Sequence, residues 1–326
     1  MLDWSDRHYR YLVRLMTRRA RVYTEMVTTG ALLYGNPERH LVYNPQEHPV
    51  ALQLGGADPT ELAKSCELAA RWGFDEVNLN CGCPSDRVQN GAFGACLMAT
   101  PELVADAVAA MKNAAPEIPI TVKSRIGIDH QDSYDQFRRF VDIVAQRGHC
   151  DTFIIHVRKA WLSGLSPKQN RELPPLVPEF ARRIKQEMPH LNIIINGGLE
   201  TWTDIEYWAD ELDGVMVGRA AYQQNGWLAE VDPRLFHESA PNSPETALRQ
   251  YQEYCSEQIA QGVRMTTLIK PVLGLFQGQP GARAYRRHLS EQAPKRQNEA
   301  EIIEEAQELI KRNSRPTDQS LSATLS

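Results

Sequence analysis

The sequence predicts an α/β protein, a (β/α)8 TIM barrel followed by an all-helical C-terminal domain. Three observations predict it. Short β-branched apolar runs recur at steady intervals, helical patterns separate them, and over residues 244–312 the pattern is helical throughout. A chain of 326 residues also exceeds the size at which a single core stops growing, so two folding units are expected.

The strand candidates are residues 22–28, 50–54, 76–80, 120–124, 153–157, 193–196 and 214–217. Most are near-continuous apolar runs, as parallel strands buried on both faces require. If residues 1–3 end an earlier strand that feeds a helix over 7–16, the count becomes eight and the sheet closes. Two helix starts are well marked. In Asp58-Pro59-Thr60-Glu61 the Asp caps, Pro takes the first turn and Glu occupies the capping-box position, and Thr100-Pro101-Glu102 repeats the theme. The barrel is expected over residues 1–230. Residues 231–243, rich in proline and without periodicity, read as a linker. Helices are expected over 244–262, 265–276, 282–290 and 299–311, making a domain of 244–312, and the polar segment 313–326 reads as a disordered tail.

Composition narrows the function. Hydrophobic content of 42% is ordinary, and no apolar run approaches the roughly 20 residues that span a bilayer, so no membrane role is expected. The first twenty residues carry Arg7, Arg10, Arg14, Arg18 and Arg19 without an apolar core and cleavage site, which predicts a cytoplasmic protein. Six cysteines at irregular spacing predict thiols rather than a disulfide framework. The net charge of -5 hides an uneven distribution. Between Arg264 and Arg296 stand seven basic residues (Arg264, Lys270, Arg283, Arg286, Arg287, Lys295, Arg296) against the single acid Glu291. Arg283, Arg286 and Arg287 lie three and four apart and share one helix face, which suits phosphates as well as it suits water.

In such a barrel the chemistry belongs at the C-terminal strand ends. There the sequence places Gln53, Asn78 and Asn80 with Cys81 and Cys83, Lys123 and Arg125, His156 and Arg158, Asn196-Gly197-Gly198, and Gly218-Arg219. The two glycine-bearing ends let backbone N–H groups approach a phosphate, with Arg219 forking onto it. Lys123, ending the strand run Ile120-Thr121-Val122, sets a fixed cation where negative charge can develop. His156 ends an apolar strand and faces a basic loop, so it fits a bound phosphate or substrate as well as a packed core position. Cys81 and Cys83 have neither a second cysteine pair nor a histidine at ligand spacing, and no metal is expected. A thiol at a strand-to-loop junction before a rigid Pro is instead placed to give a proton to carbon, which makes Cys83 the candidate acid and leaves Cys81 to packing.

The run Asn78-Leu79-Asn80-Cys81-Gly82-Cys83-Pro84-Ser85, followed by Gly91-Ala92-Phe93-Gly94-Ala95-Cys96-Leu97-Met98, resembles the signature of tRNA-dihydrouridine synthases. Val122-Lys123-Ser124-Arg125-Ile126-Gly127 and Val215-Met216-Val217-Gly218-Arg219 are similar too, and Arg158-Lys159-Ala160-Trp161 through Lys168 looks like the A-type subgroup acting at uridines 20 and 20a. The resemblance implies an oxidoreductase that uses FMN and NADPH to reduce D-loop uridines of tRNA, with Cys83 as proton donor. It implies FMN contacts at Gln53, Lys123, His156, Asn196, Gly197, Gly198, Gly218 and Arg219, and tRNA contacts at Asn80, Lys168, Arg171, Arg283 and Arg286. Members of that family begin several residues earlier, with a strand ending in Ala-Pro-Met that meets FMN through its backbone. Here Met1 stands in that place, which implies a short first strand and an FMN contact at Met1. A monomer is expected. Two rivals stay open, an FMN barrel reducing a free small molecule and a tRNA-binding or folding protein without catalysis.

Overall fold

The computed structural model describes residues 1–85 and 91–314, and the segment expected as a tail lies almost wholly outside them. Contacts divide the chain into two compact units, Met1–Arg10 with Arg21–Ala220, and Tyr11–Ala20 with Ala221–Ser326.

The first unit carries one parallel sheet of β1 Val22–Thr28, β2 Val50–Gly55, β3 Glu76–Cys81, β4 Ile120–Arg125, β5 Thr152–His156, β6 Asn192–Asn196 and β7 Gly214–Met216, paired in sequence order. Every residue of β3 is buried. Two-sided burial makes β5 an apolar run at Phe153, Ile154 and Ile155, whereas β3 is buried along its length although it alternates Glu76, Asn78 and Asn80 with apolar residues. The eighth strand expected at residues 1–3 does not form. Trp4 and Ser5 both donate their N–H to the Met1 carbonyl at 3.0 Å, and Asp3 sits at φ 62, so the chain turns where a strand would need extended backbone. Among the described residues the sheet therefore has seven strands.

Helices Pro59–Trp72, Pro101–Ala114, Tyr134–Gly148, Glu179–Glu187 and Trp202–Glu211 follow the strands. Asp58 accepts from Glu61 N at 2.9 Å, a cap that stabilises by about 1 kcal/mol. The Glu61 carboxylate does not complete a capping box; it takes the Thr29 hydroxyl at 2.7 Å and the Tyr34 hydroxyl at 3.1 Å instead. Thr100 makes no side-chain cap at all, and its hydroxyl returns to the Leu97 carbonyl.

The second unit is helical, with Val231–Phe236, Pro244–Ala260, Met265–Leu268, Ala282–Gln292 and Ile302–Ser314. It starts at Ala221 rather than near Glu230, and the expected linker contains a helix. The reason is Asp232, fully buried, which accepts from the Thr17 hydroxyl, from Arg18 N at 2.7 Å and from Arg19 N at 3.3 Å, binding this segment to residues 17–19. Tyr11 stacks on Tyr254 with ring centroids 4.0 Å apart. The helix expected over 265–276 breaks into Met265–Leu268 and the 3-10 turn Pro271–Gly274, because Pro271 has no N–H to continue it. Tyr251, Phe276 and Tyr285 fill the core, and both tyrosine hydroxyls find backbone carbonyls, Leu268 at 2.9 Å and Val272 at 3.1 Å.

Candidate active site

The polar residues predicted at the strand ends gather along the C-terminal edge of the sheet. Asn80, near the end of β3, is 8% exposed, and its carboxamide is committed to the protein. Oδ1 accepts from Gly82 N at 3.0 Å and Cys83 N at 2.9 Å, while Nδ2 donates to Gln53 Oε1 at 2.9 Å. The loop carrying Cys83 is thus tied to β2 and β3. Cys83 is half-buried, with Sγ 3.5 Å from the Ser85 hydroxyl, whereas Cys81 is sealed in the core and burial pushes its thiol well up. Only the former faces a site.

Lys123 on β4 is half-buried and donates to Asn196 Oδ1 on β6 at 2.9 Å; Asn196 Nδ2 in turn donates to the Met216 carbonyl at 2.7 Å. Burial, then repulsion from Arg125, lowers Lys123 from 10.5 to about 7. Arg125 is 4% exposed and pushed down to about 10 by burial, opposed by Cys83 and reinforced by Arg171 and Arg158. His156 at the end of β5 falls well below 6.5 through burial, Arg125 and Lys123, so its imidazole is neutral. Its buried Nδ1 has no hydrogen-bond partner of acceptable geometry. Burial and then Arg219 lower both Arg158 and Arg171. These cations perturb one another because too few acids stand among them. Arg219 has Glu172 at 3.3 Å and Glu200 at 3.8 Å, but no ion pair balances Lys123, Arg125, Arg158 or Arg171 among the described residues. A bound anion would relieve that repulsion.

The glycines supply the approach. Gly197 and Gly198 have φ of 100 and 74, and a Cβ on Gly197 would stand 3.2 Å from the His156 ring. A Cβ on Gly198 would meet Leu176 Cδ1 at 2.6 Å. Gly218 lies beside Met1, whose Sδ would be 3.5 Å from an added Cβ. Met1 therefore does reach this edge, although it is no strand residue, and its amine donates to the Ser5 hydroxyl at 2.6 Å.

Residues that sequence reading passed over hold the loop after β5. Asn170, fully buried, donates to the Trp161 and Leu165 carbonyls at 2.9 and 3.2 Å and accepts from Trp161 N at 2.8 Å, while Arg125 donates to the Lys159 and Asn170 carbonyls. A lone Asn in a polar loop gives no signal of this. Arg171 and Lys168 stand exposed on that loop, and Lys168 has no ion pair among the described residues.

In the second unit, Arg283 and Arg287 are exposed and Arg286 is half-buried on helix Ala282–Gln292. Arg286 bonds the Gln277 amide, and none of the three meets an acid among the described residues. Arg296 differs. It pairs with Glu299 and Glu305, both at 2.7 Å, so the acidic stretch neutralises that end of the basic run.

Residues 1–313 match the family model described as dihydrouridine synthase. The chain is 53% identical over 307 residues to a tRNA-dihydrouridine(20/20a) synthase of Vibrio parahaemolyticus, covering 94% of each chain. It is 52% identical over 311 residues to the protein of that name from Yersinia pestis, covering 95% of this chain and 90% of that one. With its Escherichia coli counterpart the figures are 51% over 311 residues, 95% and 93%.

Proposed function

The chain belongs to the dihydrouridine synthase family, and from that premise we propose that it reduces uridines 20 and 20a in the D-loop of tRNA to dihydrouridine, with FMN as cofactor and NADPH as electron source. The observation that carries this reading is the half-buried Cys83 thiol beside an edge of unbalanced cations. We read the seven-stranded sheet as a (β/α)8 barrel short of one strand, working in the cytoplasm as a monomer.

The residues fit FMN. Gly197, Gly198 and Gly218 would let backbone approach its phosphate, Arg219 and Arg158 would supply charge, and His156, whose buried Nδ1 lacks a partner, and Lys123 would offer polar groups to its ring system. When bound, FMN supplies the hydride that C6 of uracil receives. Cys83 then gives its proton to C5, and the thiolate left behind lies within the field of Lys123, Arg125 and Arg171. Asn80 holds the Cys83 backbone during that transfer. A uracil stacked in tRNA cannot reach this edge, so the base is everted, at a cost of roughly a few kcal/mol. Contacts of Lys168 and Arg171, and of Arg283 and Arg286, with phosphates offset that cost.

The test is to supply FMN, NADPH and either unmodified tRNA or free uridine. Dihydrouridine at positions 20 and 20a, with free uridine untouched, is expected. Equal reduction of free uridine would favour a small-molecule reductase, and no product from either would remove the reading.

A further inference from the structure

Beneath Cys83 runs a chain of buried side chains, with the half-buried Gln53 among them, that has one direction. Asn80 Nδ2 donates to Gln53 Oε1 at 2.9 Å, Gln53 Nε2 to Asn78 Oδ1 at 2.9 Å, Asn78 Nδ2 to Thr121 Oγ1 at 2.8 Å, and Thr121 Oγ1 to Glu76 Oε1 at 2.6 Å. Register makes it possible, since Gln53, Asn78 and Thr121 are direct neighbours across β2, β3 and β4. Glu76 also takes the Tyr23 hydroxyl at 2.8 Å and an ion pair from Arg21. Asn78 is fully buried, and Glu76 and Thr121 are each 2% exposed.

Both ends are chemically fixed. At the foot, a carboxylate paired with arginine can only accept, so Thr121 must donate to it and offer its lone pair to Asn78. At the top, the N–H groups of Gly82 and Cys83 can only donate, so Asn80 must turn Oδ1 toward them and Nδ2 inward. The carboxamides of Asn78 and Gln53 have one orientation that satisfies both ends. Reversing Asn80 would set an NH2 group against two backbone donors, and the carboxylate at the foot forbids the reversal from propagating.

We infer that Glu76, Thr121 and Asn78 are positioning residues that lock the Asn80 carboxamide and, through it, the backbone that presents the Cys83 thiol. They touch neither substrate nor cofactor. An apolar core would hold the strands together as well, so what the polar chain adds is direction.

The consequence for catalysis rests on the reading of Cys83 as proton donor, but the consequence for the thiol does not. The test therefore follows both in the full-length protein. Thr121→Val keeps the shape of the side chain and cuts the chain; Thr121→Ser keeps the hydroxyl. Iodoacetamide labelling resolved by residue should show Cys83 in Thr121→Val reacting severalfold faster than in the wild type. Cys81 and Cys150, both in the core, should stay slow. Turnover of tRNA should fall by about 10- to 100-fold with KM little changed, and Thr121→Ser should restore both readouts. Should Thr121→Val not fold, Glu76→Gln, which can present a donor to Thr121, should speed Cys83 labelling in the same selective way. An unchanged Cys83 rate in the folded variant, or Cys81 accelerating in step with it, overturns the inference. Selective labelling alongside a wild type that reduces no tRNA would uphold the ladder and refute the function.

Discussion

Replacing Lys123 by Met should stabilise the flavin-free protein near neutral pH while impairing it as an enzyme. The folded chain holds Lys123 at about 7, against 10.5 in the ordinary amine. At about 1.36 kcal/mol for each pH unit of difference, keeping this side chain buried costs roughly 5 kcal/mol at pH 7 and below. The charged bond to Asn196 Oδ1, worth about 1.5–3 kcal/mol, is lost in the variant. The net gain for Lys123→Met is therefore roughly 2–3 kcal/mol at pH 7. Between pH 7 and about 10 the unfolded chain keeps a proton on Lys123 that the folded chain has released, so wild-type stability rises with pH. The advantage of the variant should shrink by about 1.4 kcal/mol per pH unit across that window. His156 titrates below it and does not interfere. Urea denaturation of both flavin-free proteins from pH 6 to 10 measures the difference. Parallel curves between pH 7 and 10 would show that Lys123 is an ordinary solvated lysine and would refute the electrostatic account of this edge.

Other outcomes follow from the same geometry. Arg10→Met removes the guanidinium 2.6 Å from the fully buried Glu47 carboxylate, which keeps the Asn44 N–H at 2.7 Å, and should cost about 3–5 kcal/mol in urea denaturation. That loss should lessen toward low pH, because burial already raises the Glu47 carboxyl and protonation removes the stranded charge. A loss independent of pH would contradict the pairing. Arg283→Glu combined with Arg286→Glu should weaken tRNA binding and reduce the slope of log affinity against log salt by roughly 0.7–0.9 for each phosphate contact removed. An unchanged slope would place the tRNA elsewhere. Gly198→Ala forces an L side chain into φ 74 against Leu176, so flavin affinity should fall at unchanged NADPH specificity, as a fluorescence titration would show; undiminished affinity would clear that glycine of any role.

Much of the sheet was legible because parallel strands buried on both faces are rich in apolar residues. Ile154, Ile155 and Val157 around β5 are examples. Residues 1–3 misled because apolar Met1 and Leu2 fit a strand end, while the turn depends on bonds to the Met1 carbonyl that no local pattern announces. The strand-end polar residues were legible by position, and they do converge on one edge. What their side chains do there was less so. Asn80 and Gln53 are spent on one another, on the Gly82 and Cys83 backbone and on Asn78, and Glu76 and Thr121 belong to the same network though they read as ordinary strand residues. Cross-strand register decides this, and register is not written in any single segment. Asp232 shows the same limit, since its three donors come from residues 17–19, more than two hundred positions away.

In the proposed reaction Cys83 gives the proton that completes reduction of a tRNA uracil. The most direct test compares wild type with Cys83→Ala, each loaded with FMN and mixed with NADPH and unmodified tRNA, and measures dihydrouridine by mass spectrometry. With the wild type the tRNA should gain two hydrogens at each of positions 20 and 20a, while Cys83→Ala should bind FMN and consume NADPH yet form almost no dihydrouridine. Product formed by Cys83→Ala at the wild-type rate would contradict the account.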